Sequence, residues 1–470
     1  MKLETQSTFQ LIRFAYSIYN YILRYPTPLN LSYLWNFGFA SGIFLSIQLV
    51  TGIFLSMHYV ANIDYAFLSV ENIMRNINYG WLLRYLHSNG ASFFFLCVYI
   101  HLFRNFFFNS YLPPKQNVWN IGVLILFLMI IAAFTGYVLP WGQMSFWAAT
   151  VITNLFSAIP IIGNFIVIWL WGGFSINTET LNRFFSFHFL TPFIILILVL
   201  FHIILLHEKG SSNKLRITNF FDKLMFNPFF TIKDLFFVII ILDIFFIFVG
   251  FYPNYLGHPD NYIPADPLLT PAHIVPEWYF LPFYAILRSI PSKIMGILAL
   301  FCSIIVLVIF PFFINLSIIN RFLNWNIKKF FFNDFNINSA VIENWNNLSF
   351  DSIIQDIRLV IQFIWLYRFE LLFWFFFFNC LLLGFIGGKP IEYPFLVIGR
   401  ISSFFYFFYF FYLIKSSNYL PFFVFIQQFI HFLFPFLKTF YYFIDRQVLL
   451  LMTSFFESLN NSPVGFKRWF

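Results

Sequence analysis

The sequence predicts an all-α integral membrane protein built on eight spanning helices. Of its 470 residues, 60% are hydrophobic and only 10% charged, against about 25% charged in a soluble globular protein. Its mean hydropathy is +0.78. Apolar runs of the length that crosses a bilayer as a helix recur along it. They fall at 33–57, 81–108, 117–138, 178–206, 230–250, 291–318, 367–386 and 393–414. One more apolar stretch, 420–455, is broken by Pro421, Pro435, Asp445 and Arg446. It reads as a ninth span with an interfacial helix, or as a re-entrant piece.

The segments between spans alternate in charge. Lys2, Arg13 and Arg24 precede the first span, and Arg104 and Lys115 lie between the second and third. Lys209, Lys214, Arg216, Lys223 and Lys233 follow the fourth; Arg321, Lys328, Lys329, Arg358 and Arg368 follow the sixth. The intervening loops hold only Arg75, then no Lys or Arg across 139–182 or 251–287, then Lys389. Basic loops stay on the inner side, so the N-terminus belongs inside and the helix count before the tail is even. The first residues lack a clear cleavable signal, leaving the first span to direct insertion. The net charge of +8 is scattered over membrane-flanking loops, which excludes a nucleic-acid partner.

Cys97, Cys302 and Cys380 all sit in apolar runs, and no CxxC occurs. Neither a structural zinc site nor a c-type haem attachment is indicated, and a disulfide framework is not expected. The 77 phenylalanines read as coding bias of an AT-rich genome. Two sparsely charged loops carry structure of their own. Residues 139–172 are amphipathic enough to lie on the membrane surface, and 252–290 are proline-rich around PEWY. Residues 319–362 are polar, Asn-rich and mixed in charge, a soluble-side insertion.

Four histidines form two pairs of equal spacing: His87 and His101, His188 and His202, each 14 residues apart. Fourteen residues are nearly four turns, so both members of a pair share a face, about 21 Å apart along the axis. The second and fourth spans both run from outside to inside. His87 therefore pairs with His188 near the outer side, and His101 with His202 near the inner side. A lone intramembrane histidine is usually a hydrogen-bonding or relay residue; two matched pairs instead suit two bis-imidazole haems, built for electron transfer because no coordination position is open.

Glycine repeats the spacing. Gly38 and Gly52 lie in the first span, Gly122 and Gly136 in the third, each pair again 14 apart. A residue without a side chain makes room for a flat cofactor, although small residues also serve ordinary helix packing. Arg84, one turn before His87, and Arg104, three residues after His101, are candidates to neutralise haem propionates; snorkelling at a helix end is the alternative. Arg183 is a weaker candidate of the same kind.

These residues and their surroundings resemble the mitochondrial cytochrome b family of respiratory complex III. The carrying motifs are WNFG at 35–38, RYLHSNGAS at 84–92, WNIG at 119–122, GYVLPWGQMSFW at 136–147, PEWYFLP at 276–282 and IGGKPIEYP at 386–394. The likeness covers roughly residues 30–315 and 380–410. It implies an eight-helix bundle with two b haems among helices one to four. His87 and His188 would ligate the low-potential outer haem, and His101 and His202 the high-potential inner one. Trp119 of WNIG falls among the cofactor-binding positions.

The resemblance also implies two quinone sites. At the outer one, Glu277 of PEWY would take a proton from bound quinol, with Tyr137 and Tyr279 lining the pocket. Quinol cannot lose two electrons without losing two protons, so a positioned acceptor is needed, and a carboxylate at membrane depth is costly enough to be functional. At the inner site, His207 and Asp234 match the quinone-reducing residues, with Asn36 and Lys233 as neighbours.

Departures from the family pattern carry expectations of their own. Ala148 stands where the family commonly has glycine, which would narrow the outer pocket and weaken strobilurin-type inhibitors. Phe39 replaces a common serine at the inner site. Pro282 and Phe283 alter the segment after PEWY. Asp243 sits mid-span, as a proton-pathway group or a contact to a neighbouring subunit.

The implied protein is the core subunit of a ubiquinol–cytochrome c reductase. It would oxidise quinol outside and pass electrons through two haems to quinone inside, with proton translocation. Its partners would be a Rieske iron–sulfur protein docked on 139–172 and 252–290, cytochrome c1 and further complex III subunits, in a dimer in the mitochondrial inner membrane. Its units would be 1–215, the haem-binding four-helix bundle with its surface helices; 216–318, helices five and six with the PEWY loop; 319–362, the insertion; 363–415, helices seven and eight; and 416–470, the extension. Two other readings stand beside it: a b-haem anchor of a quinone-linked dehydrogenase, and a haem-free transporter.

Overall fold

The computed structural model describes Asn20 and residues 24–213, 222–331 and 368–417, with backbone alone at 315–331, 368–369 and 415–417. The remainder of the 319–362 insertion, nearly all of the 416–470 tail with its candidate ninth span, and Lys2, Arg13, Lys214, Arg216 and Arg358 lie outside the described residues.

In chain order the helices are α1 (Asn36–Ser56), α2 (Ala66–Asn76), α3 (Gly80–Phe107), α4 (Gln116–Val138), α5 (Gln143–Leu155), α6 (Gly163–Trp171), α7 (Thr178–Lys209), α8 (Phe229–Phe251), α9 (Leu281–Ser289), α10 (Lys293–Phe331), α11 (Arg368–Gly387) and α12 (Phe395–Ser417). Eight of them, α1, α3, α4, α7, α8, α10, α11 and α12, are long and apolar enough to cross a membrane. They coincide with the predicted spans to within a few residues. α7 starts sharply because Asn177 caps it: its side chain accepts from the Thr180 amide while the Thr180 hydroxyl accepts from the Asn177 amide. α10 overruns its predicted end at 318, so the first part of the polar insertion is helical.

The short helices lie in the loops. α5 and α6 form within 139–172, as its amphipathicity predicts. α2 and α9 were not legible as helices. α9 begins just after PEWY because Pro282 stands in its first turn, where its missing N–H costs nothing.

α1 packs most closely on α3, and α4 on α7. α8 lies against α1 and α3, while α9, α10, α11 and α12 form a second group joined to the first through α10 on α4 and α11 on α3. The seam is aromatic: Phe106 contacts Trp119, Phe310, Phe376 and Tyr409, with ring centroids 5.0 to 6.1 Å apart. Trp119 is fully committed there. Its indole N–H donates to the Leu307 carbonyl at 2.6 Å, tying α4 to α10. Two short strands, β1 (Pro26–Pro28) and β2 (Lys223–Met225), pair antiparallel and strap the N-terminal segment to the loop before α8.

Candidate functional site

The histidine ladder stands between the two closely packed helix pairs. The rings of His87 on α3 and His188 on α7 have centroids 6.1 Å apart and planes at 84°. Those of His101 and His202 are 6.4 Å apart at 63°. Two imidazoles bonded to one ion from opposite sides, at metal–nitrogen distances of about 2 Å, have centroids about 6 Å apart. Among the described residues no three His, Cys, Asp or Glu side chains gather to hold a bare ion. An ion between either pair must bring its own equatorial donors, which is what a haem does. The residues present fit that group.

Each imidazole rests in a notch made by a glycine of the neighbouring helix. A Cβ on Gly38 would stand 3.1 Å from Cε1 of His101, one on Gly52 3.1 Å from that of His87, and one on Gly122 3.2 Å from that of His202. Gly136 is tighter still against His188. The expected clearance thus serves the ring of the histidine itself. Nδ1 of each ring faces a neighbour. His188 Nδ1 lies 2.7 Å from the Ala132 carbonyl; His202 Nδ1, with the Val118 backbone beside it, is buried without a well-formed hydrogen bond. His87 Nδ1 meets the Thr51 hydroxyl at 2.9 Å, and the Gln48 amide donates to the His87 carbonyl at 3.0 Å. His101 differs: the Arg104 guanidinium donates to its Nδ1 at 3.0 Å.

The outer pair opens into a cavity of about 280 Å³ whose wall also includes Arg84, Tyr137, Glu277 and Tyr279. The structure thereby brings together residues from α1, α3, α4, α7 and the PEWY loop. That loop is pinned to α3: Tyr279 stacks on Phe95 with centroids 4.2 Å apart and planes at 2°, the Tyr99 hydroxyl donates to the Tyr279 carbonyl at 2.5 Å, and the Trp278 indole donates to Ser92 at 3.1 Å. Burial pushes the Glu277 carboxyl up to about 7, against the pull of the Tyr137 hydroxyl and the Arg84 guanidinium toward the charged form. The Tyr137 hydroxyl is buried without a well-formed hydrogen bond.

α5 is stitched to the loop over this cavity. Asn261 accepts from both the amide and the hydroxyl of Ser145 at 2.9 Å, and Gln143 bonds the Leu269 carbonyl and the Asp266 amide. Residues 139–172 and 252–290 therefore share one surface. Ala148 is buried in α5 and is not among the residues lining this cavity. Arg183 donates to the Trp169 carbonyl at the end of α6, away from any propionate role.

On the inner side, the Asn36 amide donates to the Lys233 carbonyl at 3.2 Å and the Lys233 ammonium to the Leu31 carbonyl. Asp234 follows on the same turn of α8, partly buried. His207, near the end of α7, stacks on Tyr25 with centroids 4.5 Å apart, and Tyr25 stacks in turn on Phe226 at 5.5 Å. Phe39 is 43% exposed on α1. Tyr25 and Thr51 were missed from the sequence. A tyrosine before the first span and a mid-helix threonine have no local signature; only their partners mark them.

The class so defined is a polytopic helical membrane protein holding two imidazole pairs, one beyond the other, between two pairs of helices. The family model described as Cytochrome b/b6/petB matches residues 22–210, and that of Cytochrome b(C-terminal)/b6/petD matches 264–366 and 354–407. The chain is 52% identical to cytochrome b of Chondrus crispus over 387 residues, 82% of this chain and 91% of that one. It is 52% identical to that of Acanthamoeba castellanii over 388 residues, 82% and 90%. To cytochrome b of Rickettsia bellii (strain RML369-C) it is 48% identical over 396 residues, 83% and 88%. Among solved structures, a chain of a hyperthermophilic respiratory Complex III superposes with a TM-score of 0.70 at 32% identity, covering 86% of this chain and 96% of that one. The chain belongs to the cytochrome b family, and membership implies haem binding.

Proposed function

We propose that the protein is the core membrane subunit of a quinol–cytochrome c oxidoreductase, in which His87 with His188 and His101 with His202 would hold two b haems. The observation that carries this reading is the pair of facing imidazoles at each of two depths, each ring notched by a glycine. Haem b, when bound, supplies a one-electron carrier at each pair.

The chain's own residues would bind and orient that group. With Nε2 of each ring as the ligand atom, Nδ1 would carry the proton. The Ala132 carbonyl would accept from His188 and the Thr51 hydroxyl from His87. Such outer partners fix tautomer and ring orientation. Arg104 has no acceptor, so it must leave the His101 ring when Nδ1 carries the proton. Arg104 and Arg84 are then free to face haem carboxylates.

Quinol is the substrate of the outer cavity. Glu277, with its carboxyl at about 7, is poised to accept a proton near neutral pH and release it toward the loop surface. Tyr137 and Tyr279 would shape the ring site, and Arg84 would favour the carboxylate. On the inner side, His207 and Asp234 would donate protons to quinone, with Asn36 and Lys233 ordering the first turns of α1 and α8. The joined surface of α5 and the 252–290 loop would dock a Rieske iron–sulfur protein, with cytochrome c1 beside it, in a dimeric complex. The Phe-rich composition and the basic inner loops support a mitochondrial inner membrane setting with the N-terminus on the matrix side.

A reduced-minus-oxidised spectrum tests the assignment. Two b-type components are expected, with His188→Ala losing the outer one and His202→Ala the inner one. Absence of any b-type signal would end it.

A further inference from the structure

α8 buries Phe230, Val238, Ile241, Phe245 and Val249 against α1 and α3. Asp243 is two residues from both Ile241 and Phe245, so it points roughly 200° away from that face. It is exposed among Ile239, Ile240, Phe246 and Ile247, which are 43% to 58% exposed. It stands about 5 Å from the midpoint of the span. A carboxyl on a lipid-facing stripe at that depth is costly, and its side chain is too short to reach water; intramembrane carboxyls pair with another group. Gly250, seven residues on and so on the same face, has nothing within 4 Å of where a Cβ would be. Small residues of this kind admit a second helix to close approach.

We propose that this face of α8 is covered by a transmembrane helix of another polypeptide, which presents a basic side chain to Asp243. Charge complementarity selects that occupant. A second copy meeting this stripe in a two-fold contact would set one carboxyl against another. Asp243 is eight residues from the end of its span at Phe251, and among the described residues every Lys or Arg within a span lies nearer to a span end than that, so the described part of this chain offers no such cation at Asp243's depth. The proposal needs only the membrane fold and is independent of the haem and quinone assignments.

The test uses the intact complex in its native membrane and a lipid-soluble carbodiimide, which modifies carboxyls facing lipid, with peptide mass spectrometry of residues 229–251. Asp243 is expected to remain unmodified, or to be joined to a lysine of a different polypeptide. After stripping of the small membrane subunits, with the dimeric core and its b-type spectrum retained, roughly tenfold more modification is expected. Equal modification before and after stripping would overturn the proposal. So would protection lost only when the dimer is split, or a cross-link within this chain or to its second copy.

Discussion

Gly136 lies so close to the ring of His188 that a methyl group on it would overlap the imidazole. Alanine is ordinarily the better helix residue by about 1 kcal/mol, so any loss on substitution reports the clash. Gly136→Ala should displace His188 and remove the outer b-type component while leaving the inner one. Gly38→Ala, Gly52→Ala and Gly122→Ala, with clearances of 3.1 to 3.2 Å, should shift their components without abolishing them. Difference spectra of the four variants decide this, and an unchanged spectrum for Gly136→Ala would refute the notch.

The Thr51 hydroxyl is the partner of His87 Nδ1 at 2.9 Å. Thr51→Val keeps the shape and removes the hydrogen bond. Loss of such an outer partner typically weakens a bound metal group about 10- to 100-fold. Faster haem loss, confined to the outer component, is the expected result in a dissociation assay. Equal retention by variant and parent would show that Thr51 merely packs.

Glu277 sets a pH dependence whose sign follows from its raised value of about 7. The proposed proton acceptor is the carboxylate, so quinol oxidation should fall as pH drops through 7, by about tenfold per unit once the acid form dominates. It should level off above about pH 8. Glu277→Gln should lower the rate on the order of 100-fold or more and abolish this acid limb. A limb of unchanged position in the glutamine variant would assign it to another group.

Tyr25 covers His207 by ring stacking at 4.5 Å. Tyr25→Ala should slow quinone reduction on the inner side by roughly two- to tenfold, the worth of one aromatic pair, and leave outer oxidation intact. Separate assays of the two half-reactions distinguish this from a general loss of fold, which would depress both.

Much of this architecture was legible because a bilayer imposes simple rules. Span length, loop charge and the 14-residue spacing of histidine and glycine are all one-dimensional signals, and the helices followed them closely. The pairing of His87 with His188 was readable because loop charge sets the direction of each span. Trp119 shows where such reading stops. WNIG resembles a cofactor-side motif, yet the indole donor is used by Leu307 on a helix far along the chain. Ala148 shows the same limit: its motif suggested a pocket wall, while its burial inside α5 was not readable from the residue order.

The residue order alone was enough for the eight spans among the described residues and for which histidines face each other, because these depend on hydropathy and helical rise. Packing settled the rest. The glycines face the imidazoles instead of an open cleft, the Thr51 hydroxyl meets His87, and the outer histidines share one cavity with Glu277. Each of these is a contact between segments remote in sequence, and such contacts exist only once α1 has closed on α3, α4 on α7, and the PEWY loop on α3.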